Sequence, residues 1–462
     1  MAIMGSIIVP HPPLIIPDVG RGEEIQIQAT IDAYRAAARR VAAWEPEALI
    51  ITTPHLVMYS DYFHIPPGKS AFGDMSAYRA PRARVEVKYD AALREELIRR
   101  AEAAGIPAGT LGERDARLDH GSFIPLYFLR EAGVDCPVVR IGLSGFSPLT
   151  HYRLGQCVAE AVNALGRRAA FIASGDLSHK LKEEGPYGFA AEGPEYDREI
   201  TEIMASGDFL RLLQMDGHFC EKAAECGQRS FQIMAGALDG RAVQPELLSH
   251  EGPFGVGYGV AVFTVTGTDE GRRFGDKYEA EELERLARRK AAEDPYVSLA
   301  RLSLETYIRT GKELSALPEN LPADLLTRRA GAFVSLHKEG LLRGCIGTIG
   351  PVTPSLAEEI ARNAVSAGTG DPRFTPVTES ELDLLEYNVD VLGQPEPIAS
   401  PAELDVKRYG VIVTCGMKRG LLLPDLEGVD SVAQQIDIAR RKGGIGANEP
   451  YTLERFEVVR HL

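Results

Sequence analysis

Residues 48–55 read ALIITTPH. Six uncharged residues rich in β-branched side chains describe a strand covered on both faces. Pro54 stops it, and His55 follows at once. The chain opens the same way: Ile3–Val9 (IMGSIIV) is halted by Pro10, with His11 next. Strands covered on both faces belong to parallel sheets flanked by helices. Further along, VVRIGL (Val138–Leu143), AAFIA (Ala169–Ala173) and YGVAVFTV (Tyr258–Val265) repeat the apolar run. Between these runs, Glu23–Ala43, Ala91–Ala104 and Pro148–Leu165 carry apolar residues at helical spacing. The alternation predicts an α/β fold with a central, mostly parallel sheet, whose ligands bind at the C-terminal ends of strands.

The strand–helix pattern closes near Gly267. The highly charged stretch 268–283 reads as a linker leading into a solvated helix. Residues 284–462 then read as a second, smaller unit of α/β (α+β) character, with helix Val297–Gly311, strand Ala332–Leu336 and several Gly-rich turns. The expected domains are 1–267 and 284–462. A hydrophobic content of 44% over 462 residues supplies a core for each.

A formal net charge of -15 argues against a nucleic-acid-binding surface, which needs a basic face. No run reaches the ~18 apolar residues of a membrane span. The opening MAIMGSIIVPHPPL lacks the charged and apolar regions of a signal peptide. The six cysteines, Cys136, Cys157, Cys220, Cys226, Cys345 and Cys415, form no C-x-x-C pair. That pattern argues against a disulfide framework and fits a reducing, cytoplasmic setting.

Eight of the ten histidines precede residue 251, so the candidate chemistry is concentrated in the first unit. His11, His55 and His179 follow strand-like runs, and His120 opens a helix in LDHGSFIPL. Strand ends along one sheet edge would bring all four together. Two neutral imidazoles and a carboxylate on one face of an octahedron suit non-haem Fe(II). The carboxylate candidates are Glu225 in AAECGQRSF and Glu251 in SHEGPFGVGYG. A histidine off the metal can move protons near neutral pH. His64 and His218 acquire no role in this reading, and His250 lies beside Glu251 at the surface or a pocket rim. The glycines of GPFGVGYG do not open a helix, so they are no dinucleotide fingerprint.

The segments VPHPPL, TTPH, LDHGSFIPL, SGDLSH and ECGQRSFQIMAGALDG, in this order over Ile3–Thr266, resemble the LigB-like catalytic subunit of class III extradiol dioxygenases. The resemblance implies His11 and His55 as metal ligands, Glu225 as the third ligand and His179 as catalytic acid/base. It also implies His120 beside the metal or against the substrate. Asp176, three residues before His179, would orient it; its other reading is a turn cap. The related Memo family carries a cysteine in a similar CGR-type segment, so Cys226 is the alternative third ligand. Glu225 is preferred because a carboxylate completes an oxygen-activating triad, whereas a thiolate beside iron and O2 oxidises. The implied activity is Fe(II)-dependent opening of a catechol-like or related small aromatic by O2. Zinc on the same ligands is the alternative cofactor. A metal-binding, Memo-like accessory or interaction protein without ring cleavage is the alternative function.

In the second unit GAFVSLHKEGLLRGCIGTIGP (Gly331–Pro351), DPRF (Asp371–Phe374), YGVIV (Tyr409–Val413) and GLLLP (Gly420–Pro424) resemble the AMMECR-one family. Arg343 and Cys345 form its candidate site. The arginine can grip a carboxylate or phosphate with two N–H groups, the cysteine is a nucleophile or a small buried hydrophobe, and the glycines allow close backbone approach. The fusion resembles AmmeMemoRadiSam system protein A. The chain has no C-x-x-x-C-x-x-C cluster motif, so a radical-SAM protein would be a separate partner. A homodimer is the expected assembly on frequency alone.

Overall fold

The computed structural model describes residues 3–426 and 428–462. The chain divides into two units, Met1–Glu281 and Glu282–Leu462.

The first unit contains, in chain order, β1 (Ile3–Val9), α1 (Gln28–Ala43), β2 (Ala48–Thr53), β3 (Ser70–Met75) and β4 (Ala80–Lys88). There follow α2 (Ala91–Ala103), α3 (His120–Glu131), β5 (Val138–Gly142), α4 (Pro148–Ala164) and β6 (Ala169–Ser174). The unit finishes with α5 (Glu192–Ser206), α6 (Gln228–Ala237), β7 (Arg241–Glu251) and β8 (Tyr258–Thr268). The main sheet has the order β5-β2-β6-β1-β8-β7. Its first four strands are parallel, and β8 and β7 extend it antiparallel.

The uncharged strand runs are explained by burial on both faces. Ile7, Val9, Leu49, Ile51 and Ile172 point into a core shared with Tyr34 of α1 and Phe128 of α3. The alternate residues Ile8, Ile50, Phe171, Ala173 and Ile141 point into another, shared with Leu97 of α2, Val158 of α4 and Met234 of α6. Each such side chain contributes roughly 1.5–3 kcal/mol on leaving water, which no half-solvated sheet would collect twice over. The path β1–α1–β2 leaves one strand position open, and β6 fills it. Val9 pairs with Ser174 on one side of β6, and Thr52 pairs with Ala173 on the other.

The charged stretch 268–283, read above as a linker, is helical from Phe274 in α7 (Phe274–Ala292). Phe274 is buried under the Arg272 guanidinium, 4.9 Å from the ring centroid, and Glu279 pairs with Arg153 at 2.7 Å. The charges belong to a helix face anchored by its first residue, and i,i+3 pairs such as Glu282–Arg285 continue along it.

The second unit opens with α8 (Pro295–Thr310), capped by Asp294, which accepts from the Tyr296 and Val297 N–H groups. Next come β9 (Ala332–Lys338), β10 (Leu341–Gly347), α9 (Leu356–Thr369), β11 (Leu385–Leu392) and β12 (Glu396–Ile398). The chain ends with β13 (Gly410–Cys415), β14 (Lys418–Leu422), α10 (Val432–Lys442), β15 (Thr452–Phe456) and β16 (Val458–His461). Two antiparallel sheets result, β10-β9-β11-β16 and β12-β15-β13-β14. Among the described residues no helix is long and apolar enough to cross a membrane.

Candidate metal centre

The prolines after β1 and β2 release the backbone at the sheet edge, and the histidines behind them turn inward. His11 is buried, its backbone N–H donating to Asp176 Oδ1 at 2.7 Å. Ser174, at the tip of β6, donates from Oγ to the Gly121 carbonyl at 2.6 Å. Its oxygen is therefore left to accept from His11 Nδ1–H at 2.9 Å. This chain of bonds assigns the His11 tautomer: Nε2 carries the free lone pair. Nε2 stands 2.9 Å from His55 Nε2 and 3.6 Å from Cys226 Sγ.

His55 is fixed through Thr53. The Thr53 hydroxyl accepts from the His55 N–H at 3.2 Å and donates to Asp119 Oδ1 at 2.7 Å. Asp119 also caps α3, accepting from Ser122 N–H at 2.9 Å. The first helical residue is then His120, whose ring centroid lies 3.9 Å from that of His55 and 5.4 Å from that of His11. His179 follows β6. Its Nε2 is buried and has no partner among the described residues, and its ring lies 5.0 Å from that of Tyr187.

Among the described residues one group of donors can share a metal ion: His11, His55 and Cys226, with ligand atoms all within 4.8 Å of one another. Glu225, the preferred third ligand from sequence, is outside it. Its carboxylate turns back to accept from the Gln228 N–H at 2.6 Å. Burial pushes that carboxyl up to about 7. Glu251 is likewise engaged elsewhere, accepting from Thr30 N–H and Oγ–H at 2.7 and 2.6 Å. Cys226 reaches the group because Gly175 and Gly227 lie backbone to backbone. A Cβ on Gly175 would sit 2.1 Å from Gly227 Cα. The approach lets the Asp176 N–H donate to Cys226 Sγ at 3.3 Å.

Asp176, expected to orient His179, instead holds the His11 backbone. His64 is buried with Nδ1 on the Leu111 carbonyl at 3.0 Å, and His250 Nε2 meets Asp197 Oδ2 at 2.7 Å. Neither belongs to the group. Sequence reasoning missed Ser174 and Thr53, although both close the strand runs that flag the histidines.

Burial lowers the pKa of His11 well below the ordinary histidine value, and repulsion from His55, His120 and His179 adds to it. Burial and then His55 push His120 down to about 4, and the same two causes do so for His179. All are neutral at pH 7, which is the form that donates a lone pair. Burial, followed by the Asp176 and Glu225 carboxyls, raises the Cys226 thiol well above its usual range. A cation among these donors reverses that effect by deprotonating the thiol. Two uncharged imidazole nitrogens at 2.9 Å, one committed as an acceptor, also suit a shared proton or cation between them. The donor set thus fits a metal ion. Beside His120 lies a cavity of about 240 Å³ lined by Phe72, Met75, Tyr78, Leu118 and Phe123 together with the polar Asp74, Ser76 and Arg117.

In the second unit the Arg343 fork is already filled. Nε and Nη2 donate to Glu381 Oε1 and Oε2 at 3.0 and 3.1 Å. Arg343 is therefore not free to bind an outside anion. Gly344 is explained by packing, since a Cβ there would stand 2.2 Å from the Ala367 carbonyl oxygen of α9. Cys345 is half-buried; its Sγ accepts from Ser335 Oγ–H at 3.2 Å, and its N–H donates to Asp371 Oδ2 at 2.9 Å.

Residues 5–261 match the family described as the catalytic LigB subunit of aromatic ring-opening dioxygenase, and residues 297–461 match the AMMECR1 family. The chain is 41% identical to Protein CA_C1420 of Clostridium acetobutylicum over all of this chain and 99% of that one. A protein of Thermotoga maritima is 52% identical over 37% of this chain and 98% of its own length. Among solved structures, uncharacterized protein PH0010 from Pyrococcus horikoshii is 33% identical, covering 36% of this chain and 88% of that one with a TM-score of 0.34.

Proposed function

We propose, for a chain that belongs to the family of LigB catalytic subunits of aromatic ring-opening dioxygenases and carries an AMMECR1 domain behind it, that the first unit is a single-metal oxidoreductase using O2 on a small catechol-like aromatic. The observation that carries this reading is the convergence of His11, His55 and Cys226 at the C-terminal edge of the parallel strands, with His120 beside them. Fe(II) is the metal that the imidazole pair and the family favour; zinc suits the same donors without redox chemistry. When bound, a redox-active ion supplies the electron transfer to dioxygen that side chains cannot.

The chain's own residues bind and orient. His11 and His55 present lone pairs without first having to lose protons, because burial keeps both neutral. His179 Nε2, buried and with no partner among the described residues, would take a phenolic proton. Its lowered pKa means that it returns the proton readily. The mixed, partly aromatic walls beside His120 suit a flat ring that carries polar groups.

The test is metal analysis of protein purified without oxygen, followed by O2 uptake with a panel of catechols. Bound iron with catechol-dependent uptake, both lost in His11→Ala, supports the reading. Normal uptake in His11→Ala sinks it. A second reading is favoured by one observation, the thiol in the third position. A thiolate beside iron and O2 is open to oxidation. It suits a metal-binding accessory protein of a separate radical-SAM system, for which bound metal with no uptake on any catechol would speak.

A further inference from the structure

Arg140 sits in the middle of β5 and is 1% exposed. Nη1 donates to the Arg117 carbonyl at 2.9 Å. Nε and Nη2 are buried and find no acceptor among the described residues. These two N–H groups lie side by side on one edge of the guanidinium, the fork that grips a carboxylate with two parallel bonds. In Arg343 and Arg373 the same fork is filled. Arg343 places Nε and Nη2 on the two oxygens of Glu381, and Arg373 places its own on Asp371 at 3.0 and 2.7 Å.

The nearest carboxylate cannot fill the Arg140 fork. Asp119 Oδ2 is 3.9 Å from Nη1, on the other side of the guanidinium. Its oxygens already accept from Thr53 Oγ1, Ser122 N and Ser122 Oγ. A guanidinium does not escape by losing its proton. Tyr89 adds a third donor. It bridges Val138, two residues before Arg140 on the same face of β5, and its hydroxyl is buried with no partner among the described residues. Arg140 is close enough to oppose, in part, the rise that burial imposes on the Tyr89 phenol. Two N–H groups of Arg140 and the hydroxyl of Tyr89, a residue bridged to the same strand, are thus buried donors for which no acceptor is found among the described residues. A water brings two further donors that need acceptors of their own. A planar oxyanion brings acceptors alone.

We propose that Arg140 Nε and Nη2, with the Tyr89 hydroxyl, bind a small planar oxyanion of the carboxylate class, of the size of formate or bicarbonate. The anion completes the interior behind the Arg117–His120 segment. The site uses none of the metal donors and does not depend on the reaction proposed above.

The test uses the full chain treated with chelator, so that no metal takes up the anion. Thermal unfolding is followed with sodium formate and, separately, sodium bicarbonate, each against sodium chloride at equal ionic strength. The expected result is a saturable rise in Tm of roughly a few degrees with at least one of them. It should persist in His11→Ala and disappear in Arg140→Lys, which keeps the charge and loses the fork. The anion that saturates at the lower concentration identifies the source. No rise beyond chloride, or an equal rise in Arg140→Lys, overturns the proposal. Should Arg140→Lys fail to fold, a high-resolution crystal structure of the unaltered chain grown in formate decides. A flat three-atom group on both fork nitrogens supports the site, and ordered water only overturns it.

Discussion

Ser174→Ala tests the assigned tautomer of His11. The serine hydroxyl occupies a buried junction, accepting from His11 Nδ1–H and donating to the Gly121 carbonyl. Alanine leaves the Nδ1–H donor without an acceptor in a buried place, a loss of about 1–3 kcal/mol in unfolding free energy. A second consequence is specific to the metal. With Nδ1 no longer held, the proton can move to Nε2 and bond across the 2.9 Å to His55. A protonated Nε2 cannot be a ligand. Loss of such an outer hydrogen bond weakens metal binding by roughly 10–100-fold. Urea unfolding measures the first effect, and anaerobic competition with a chromophoric chelator measures the second. Ser174→Thr, which keeps the hydroxyl, should recover much of the affinity. A Ser174→Ala protein that is destabilised as expected but binds metal with unaltered affinity would refute the tautomer argument and leave Ser174 a packing residue.

Four further outcomes are expected. Cys226→Ser should lower metal retention at least tenfold and remove about one proton released per metal bound at pH 7, since the buried thiol must deprotonate to bind. Glu225→Gln should leave both unchanged, and the opposite pattern would return the third position to Glu225. Gly344→Ala should destabilise the second unit by roughly 1–3 kcal/mol in urea titrations, because its Cβ meets the Ala367 carbonyl oxygen at 2.2 Å; full stability would contradict that contact. At Glu381 burial opposes ionisation, but the Arg343 side chain, the Thr378 N–H and Lys338 outweigh it and hold the pKa at about 2. Its folded value is depressed, so its contribution is complete above the ordinary carboxylate value near 4.5 and is lost as pH falls toward 2. Arg343→Gln should raise the acid midpoint of the second unit, and an unmoved acid transition would show the pair to be silent.

The parallel half of the first unit was legible because burial on both faces strips charge from a strand, and ALIITT and IMGSIIV display that directly. The β3–β4 hairpin was not. Burial alternates strictly over Ser70–Met75, but the buried positions include Gly73, the exposed ones include Phe72, and the run spans only six residues, so the apolar pattern does not show it. Three of the four histidines were legible from the strands they follow and the fourth from its helix start, yet the third donor was not. Glu225 and Cys226 are adjacent, and the side chain that faces inward is decided by the turn between them and Ala224, whose φ is 53°. The role of Asp176 was read from its distance along the chain to His179, whereas the structure ties it to His11, 165 residues away. The Arg343 fork was legible as chemistry but not as already satisfied, because Glu381 lies 38 residues on. The charged stretch 268–283 shows that charge density alone does not separate a linker from a helix anchored by one buried phenylalanine.

The strand order supplies the reason that these donors meet. Neighbouring strands lie about 4.8 Å apart, so the ends of β1 and β2, separated by β6, stand roughly 10 Å from one another. Two ligands projecting straight from those ends would not share an ion. Proline at positions 10 and 54 ends each strand, and two residues beyond each strand end the chain has bent so that His11 and His55 converge over the tip of the intervening strand. That tip is Ser174, which explains why a residue with no metal-binding chemistry of its own holds the central place. Gly175, the next residue, has no side chain to keep Gly227 away, and the turn before α6 therefore rests on the same tip and delivers Cys226. The three donors come from three distant segments, but each is set by one strand end. The chemistry of the site follows from β6 entering the sheet between two strands that were laid down before it.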